Sequence, residues 1–287
     1  MEMDKRKTIE DIQQKKKDRR KITMLTAYDY PLASLVDQAG VDMILVGDSL
    51  ANVVLGLEST RQVGMAEMLH HARAVNRAVK RALLVGDMPY ESYQADTGKA
   101  VENARRFIEE AGCNAVKLEW FDHCLKVAED ISRSGIAVMG HVGLTPQTAE
   151  KLGGFKVQGK DASSARRIIR HAKELEDKGC FSLVLECIPA EIAEMITGEV
   201  SIPTIGIGAG VHCDGQVLVT HDLLGLFNQF KPKFVRPYAD LSPLIVDGIT
   251  NFRKDVEAGR FPDADHSYSM TRQELSSVKG KRLRIQK

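Results

Sequence analysis

Eight short apolar runs, each separated from the next by a longer stretch of mixed character, limit what this chain can become more than any other feature. They are I-T-M-L-T at 22 to 26, M-I-L-V-G at 43 to 47, A-L-L-V-G at 82 to 86, A-V-K-L at 115 to 118, I-A-V-M-G at 136 to 140, F-S-L-V-L at 181 to 185, I-P-T-I-G-I at 202 to 207 and K-F-V at 233 to 235. Runs this short and this apolar read as strands buried on both faces. The segments between them, such as Glu67 to Val79, Ala100 to Ala111, Ala165 to Lys178 and Ala190 to Ile196, carry a helical period, and Gly112 and Gly179 stand where a helix end needs a cap. Eight strand-helix units within 287 residues predict an α/β fold, a (β/α)8 TIM barrel. A doubly wound sheet lacks its phosphate turn here, because Gly206-Ile-Gly-Ala-Gly210 is followed by Val211 where the third glycine belongs.

The ends of the chain differ in texture from its middle. Residues 1 to 20 are rich in charge, with K-K-K-D-R-R at 15 to 20, and read as a solvated helical arm; beyond Phe261 the chain turns polar and ends as a basic tail. The expected organisation is one barrel domain over residues 1–268 with its N-terminal arm, then a flexible tail over 269–287. Forty basic against thirty-nine acidic side chains provide no field for nucleic acid or a membrane surface, which points to small-molecule partners. The five cysteines form no C-x-x-C pair, and no apolar run approaches the ~20 residues of a membrane span. A cytoplasmic enzyme with reduced thiols is the expectation.

The ionisable residues at the ends of the apolar runs carry the chemistry. Asp48 stands after the second run, Asp87 after the third, Glu119 after the fourth, His141 after the fifth and Glu186 after the sixth. In a barrel the carboxyl ends of all strands converge on one mouth, where barrel enzymes act. Asp48, Asp87 and Glu119 would meet there, and three carboxylates cannot all stay buried and ionised without a compensating charge. Oxygen-only ligands favour Mg2+ or a similar hard divalent ion with positions left open for a substrate. An α-keto acid fits, offering its keto oxygen and a carboxylate oxygen while the metal acidifies the adjacent C–H. Glu186, set between Leu185 and Cys187, is the candidate base, since an apolar setting raises a carboxyl pKa towards the working range. Lys117 shares a strand face with Glu119 and wants an anion, either the substrate carboxylate, a developing enolate or a neighbouring acid. His141, opening H-V-G-L-T-P-Q, is a candidate substrate contact and the second candidate base, and equally a structural histidine.

G-D-S-L at 47 to 50 also matches a serine esterase signature, with Asp263-Ala-Asp-His266 supplying a D-x-x-H spacing near the C-terminus. That reading leaves Asp87, Glu119 and Glu186 idle. Asp48 is therefore preferred as the working residue, with Ser49 holding the substrate carboxylate beside the metal through its hydroxyl and backbone N–H. A carbon-carbon lyase of the isocitrate lyase and phosphoenolpyruvate mutase group shares the metal-enolate logic, but its K-K-C-G-H segment does not occur; a non-catalytic scaffold or nucleic-acid binder using the basic ends is the remaining alternative.

Beyond these patterns, L-T-A-Y-D at 25 to 29, V-G-D-S at 46 to 49, G-D-M-P-Y-E-S-Y-Q at 86 to 94, V-K-L-E at 116 to 119, G-H-V-G-L-T-P-Q at 140 to 147, L-V-L-E at 183 to 186, T-I-G-I-G-A-G at 204 to 210 and D-G-Q-V-L-V at 214 to 219 together resemble the ketopantoate hydroxymethyltransferase family. The resemblance runs from about residue 5 to His266-Ser267-Tyr268. It implies a barrel of the phosphoenolpyruvate/pyruvate-binding type. It further implies transfer of a one-carbon unit from 5,10-methylenetetrahydrofolate to 3-methyl-2-oxobutanoate, giving 2-dehydropantoate. Carried over by motif, magnesium falls on Asp48, Asp87 and Glu119, substrate contacts on Asp48, Ser49, Asp87 and Lys117, and the proton acceptor on Glu186. His266 falls in the family's closing H-S-Y segment, which removes the best support for the esterase. Tyr90 and Pro237 depart from the pattern, away from this chemistry, and the tail after Met270 lies outside it. The resemblance implies a ring-based homo-oligomer, usually a decamer.

Overall fold

The computed structural model describes residues 5–227, 229 and 232–282. Eight parallel strands close into a barrel in sequence order: β1 (Ile22–Thr26), β2 (Met43–Val46), β3 (Leu83–Asp87), β4 (Ala115–Glu119), β5 (Ala137–Gly143), β6 (Ser182–Glu186), β7 (Thr204–Ile207) and β8 (Gly215–Leu218). Closure is made by β1, which pairs with β2 on one side and with β8 on the other. A first helix, α1 (Ile9–Lys17), precedes the barrel, and α2 (Tyr30–Gln38), α3 (Leu50–Val53), α4 (Met65–Ala78), α5 (Thr97–Glu109), α6 (Cys124–Arg133), α7 (Ala162–Asp177), α8 (Ala190–Glu199) and α9 (Thr220–Leu223) lie between or after its strands. Aspartates start three of the longer helices: Asp29, Asp96 and Asp161 each accept a hydrogen bond from a first-turn amide that has no partner inside its helix.

The expected barrel is present, but one of its strands is elsewhere. Gly215–Leu218 forms β8, whereas Lys233-Phe234-Val235 lies on a turn that places Phe234 over Gly208. The apolar content of K-F-V misled because it serves packing onto a loop, while β8 begins with a glycine and alternates buried with exposed positions. Gly215 is needed there, since a Cβ would lie 2.5 Å from the Ile22 carbonyl oxygen of β1.

Two apolar layers hold the fold. One lies between strands and helices; the other fills the barrel with Met24, Met43, Leu83, Val85, Met139, Val184, Ile205 and Val217. The inner layer is closed from below by α1, whose Ile12 is fully buried within it. The basic run at 15 to 20 is therefore not simply solvated: Lys15 Nζ lies 2.5 Å and Lys7 Nζ 3.3 Å from Asp42 just before β2, and Lys16 Nζ lies 2.8 Å from Asp214 just before β8. Each aspartate also binds the neighbouring strand, Asp42 accepting from the Thr23 amide and hydroxyl and Asp214 from those of Thr204.

The residues up to Tyr238 form one compact unit and those from Ala239 a second, so the domain boundary drawn after residue 268 does not coincide with the structural one. The second unit contains α10 (Leu241–Glu257) and α11 (Arg272–Arg282), the latter within the expected tail 269–287, of which residues 283–287 lie outside the described residues. Among the described residues no helix is long and apolar enough to cross a membrane, and all five cysteines are free.

Burial pushes the pKa of Asp42 up, but Lys15, the Thr23 amide and Lys7 outweigh it and hold the carboxyl below its ordinary value. A depressed folded-state pKa gives stability that is present above the unfolded value, near pH 4, and lost as the pH falls through the folded value. Asp42→Asn should therefore be less stable than the parent near neutrality, with the gap in denaturant midpoint closing under acid. A gap independent of pH would show that α1 is not held by this charge.

Candidate active site

Strand alternation decides which side chains enter the barrel. Val85 lies in the inner layer, so Asp87 two residues on faces the same way; Ala115 likewise aligns Lys117 and Glu119, Met139 aligns His141, and Val184 aligns Glu186. Asp48 stands in the loop leaving β2. The six ionisable residues expected at the mouth thus come together at the carboxyl ends of β2 to β6.

Lys117 is the charge at the centre. Its ammonium lies 2.7 Å from Oδ1 and 2.9 Å from Oδ2 of Asp87, both residues being buried. Burial pushes the lysine pKa down, yet Asp87, Glu119 and Asp48 together outweigh it and raise it above the ordinary value. The backbone N–H of Asp48 donates to Asp87 Oδ2 at 3.2 Å. Burial, then the Asp87 charge, push Asp48 up to about 7, and burial drives Glu119 well above the usual carboxylate range. One ammonium faces three carboxylates, and the excess is written into these shifts.

Gln147, unassigned from the sequence, ties the acids into place. Its side-chain amide donates to Asp48 Oδ2 at 2.9 Å and to the Met88 carbonyl at 3.0 Å, and its backbone N–H donates to Glu119 Oε2 at 3.0 Å. Its amide oxygen accepts a short hydrogen bond from the buried Tyr93 hydroxyl. Burial, with Glu119 and Asp87 nearby, raises the Tyr93 pKa, so the phenol keeps the proton it donates. Both residues lie in segments that carry the family resemblance, which was the one signal available for them.

His141 Nε2 lies 3.2 Å from Glu186 Oε2 and Nδ1 lies 3.6 Å from Glu119 Oε1. Neither carboxylate is well aligned with the ring, so the buried imidazole has no well-formed hydrogen bond. Burial lowers its pKa and leaves it neutral at pH 7. Glu186 alone among the mouth carboxylates retains partial solvent access, its side chain 15% exposed against 2% for Asp87 and Glu119.

Its position is set by backbone. Gly143 pairs with Glu186 in the β5–β6 ladder at φ 101, where a Cβ would lie 2.2 Å from the Glu186 carbonyl oxygen, and Cys187 turns away at φ 47. The loop Gly206 to Gly210 admits protein rather than a ligand: Phe234 closes on Gly208 and Ala190 on Gly210. Ser49 does not have the surroundings of a nucleophile. Its hydroxyl pairs with the Tyr28 phenol at 2.8 Å, and no described histidine hydrogen-bonds to it. His266 pairs with Asp263 inside the second unit.

The donor set is oxygen-rich and short of positive charge, which suits a hard cation. Among the described residues, however, no three Asp, Glu, His or Cys side chains are close enough for a direct three-ligand shell. Asp48, Asp87 and Glu119 are neighbours rather than a ready-made cage, with Asp87 held by Lys117.

Fold and site define a TIM barrel with an acidic mouth around one buried lysine. The solved structure of 2,3-dimethylmalate lyase, described as a PEP mutase/isocitrate lyase superfamily member, aligns with TM-score 0.57 at 14% identity over 97% of this chain and 98% of its own. Phosphonopyruvate hydrolase, solved with oxalate and Mg2+, aligns with TM-score 0.58 at 12% identity over 97% and 98%. At such identity the likeness is one of fold. The chain itself belongs to the ketopantoate hydroxymethyltransferase family, which it matches over residues 6–264. It is 52% identical over 95% of its length to 3-methyl-2-oxobutanoate hydroxymethyltransferase of Syntrophomonas wolfei, covering 99% of that protein.

Gly143→Ala tests the backbone seat of Glu186. The added methyl must displace Glu186 or strain a left-handed residue, costing on the order of 1–3 kcal/mol. Turnover should fall by more than the loss of folded protein accounts for; an unchanged kcat would show that this close approach does not position Glu186.

Proposed function

We propose that this chain transfers a hydroxymethyl group from 5,10-methylenetetrahydrofolate to 3-methyl-2-oxobutanoate, giving 2-dehydropantoate, the first committed step of pantothenate synthesis. The observation that carries the chemistry is the division of labour among the carboxylates: Asp48, Asp87 and Glu119 are held by Gln147 and Lys117, while Glu186 has only the neutral His141 beside it.

Asp48 and Asp87, with Glu119 behind them, would hold a divalent cation such as Mg2+. When bound it withdraws electron density from the substrate keto oxygen and acidifies the C3–H. Magnesium binds through one or two protein carboxylates, so such a site needs no three-ligand cage. Ser49, through its hydroxyl and backbone N–H, receives the substrate carboxylate. Lys117 places positive charge beside the oxygen where the enolate charge develops. Glu186, seated by its backbone, takes the C3 proton into its free carboxylate beside the neutral His141. Water hydrolyses the folate's methylene bridge, both C–N bonds breaking and the two water protons going to the folate nitrogens, so that tetrahydrofolate and formaldehyde are formed. The enolate carbon adds to the formaldehyde carbon, and the resulting alkoxide takes back the proton held on Glu186.

Two measurements test this reading. Exhaustive chelation should remove turnover and added Mg2+ restore it; full activity in chelator would exclude a metal at the acidic mouth. Glu186→Gln keeps the shape of the side chain but loses its basic lone pair. The parent should exchange the C3 hydrogen of 3-methyl-2-oxobutanoate in deuterated water without any folate, and the variant should not. Exchange at the parent rate would pass the role of base to His141.

A further inference from the structure

Beside the acidic mouth, on the helix side of β4 and β5, lies a cavity of about 550 Å3. It is anchored to the site through its walls. Trp120 follows Glu119, Gly143 pairs with Glu186, and Phe121 packs edge-on against Tyr93 with ring centroids 5.3 Å apart. Trp120 is stacked on His171 of α7, with centroids 3.5 Å apart and planes within 8°. Burial, with Arg170 and Arg167 nearby, pushes His171 down to about 4, so the stack is two neutral aromatic rings at pH 7. Arg167 at the rim is exposed and has no carboxylate partner among the described residues, while Asp122 and Gln158 bring hydrogen-bonding groups to the same space. A flat aromatic surface, polar groups able to read a ring edge and one free guanidinium fit a planar ring joined to a carboxylate-bearing tail. The volume falls in the range of small-molecule sites, roughly 300–1,000 Å3.

We propose that this cavity binds the reduced folate, the bicyclic ring lying against the Trp120–His171 stack with its amino and N–H edge towards Asp122 and Gln158, and the glutamate carboxylate on Arg167. The inference rests on the folate-dependent reading of the preceding section. It places the one-carbon donor along the same two strand ends that carry Glu119 and His141. Arg167, Asp122 and Gln158 take no part in proton abstraction, so donor binding and keto-acid chemistry can be separated at these residues.

Tetrahydrofolate without its one-carbon unit is the probe. Trp120 is the chain's single tryptophan, so its emission reports the cavity directly, and calorimetry gives an independent affinity. Titration should quench Trp120 to saturation. Arg167→Glu should weaken binding by about tenfold or more, the scale of one lost charge-assisted contact, and Arg167→Lys by less. Folate-free exchange of the keto-acid C3 hydrogen should stay unchanged in both variants. Parental affinity in Arg167→Glu would overturn the proposal, and so would calorimetric binding that leaves Trp120 emission untouched. A parent protein that exchanges the hydrogen but binds no tetrahydrofolate would also overturn it, whereas a parent that fails to exchange tells against the keto-acid reading itself.

Discussion

A lysine ammonium sealed inside a barrel must find its counter-charge in the same barrel, and Lys117 finds it in both oxygens of Asp87. Breaking such a pair by removing one partner strands a buried charge and costs several kcal/mol, far more than an exposed pair. The arrangement of the mouth is a consequence of that necessity. With Asp87 committed to Lys117, its neighbour Asp48 has only a share of positive charge left and is pushed up to about 7, first by burial and then by Asp87 itself. Burial likewise drives Glu119 well above the usual carboxylate range. The barrel therefore carries a standing electrostatic deficit at the place where the substrate must sit, and a cation or a proton settles it.

Polar, uncharged groups keep these acids from relaxing apart. Gln147 commits its side-chain amide to Asp48 and Met88, its backbone N–H to Glu119 and its acceptor to Tyr93. A glutamine with every strong hydrogen bond made has little freedom, and it joins the end of β4 to the loop leaving β2 through the segment after β5. Glu186 is held by different means, a close backbone approach at Gly143 and a left-handed Cys187, which leave its carboxylate free of strong donors. The two strategies suit different tasks. Groups that must present a fixed charge are tied by hydrogen bonds; a group that must accept a proton is positioned through its main chain.

The acids were legible in the sequence because inward-facing strand residues keep a period of two, so an ionisable residue at the end of an apolar run is conspicuous. Gln147 and Tyr93 were not, because a neutral residue in a loop carries no periodic signal and its partners are set by three-dimensional closure. The eighth strand was misplaced for a related reason. Gly215–Leu218 is short and opens with a glycine that only the approach of Ile22 explains, whereas Phe234 looks like strand and serves to cover Gly208. The lysines of α1 were misread because a cation run looks the same in sequence whether it faces water or reaches an aspartate such as Asp42 at the barrel floor.

The floor and the mouth of the barrel use charge in opposite ways. Below, Asp42 meets Lys15 of α1 and Lys7 just before it, Asp214 meets Lys16 of α1, and each accepts from the amide and hydroxyl of a strand threonine, so that the site is satisfied as it stands. Above, carboxylates of the same kind outnumber their single lysine, so the folded chain is left short of positive charge where its strands end. A carboxylate cluster that served stability alone would have been compensated by further donors, as the floor is. Three acids around Lys117 without that compensation make sense if the remaining charge and the remaining proton are exchanged with what binds there, which ties the electrostatics of the mouth to turnover rather than to folding.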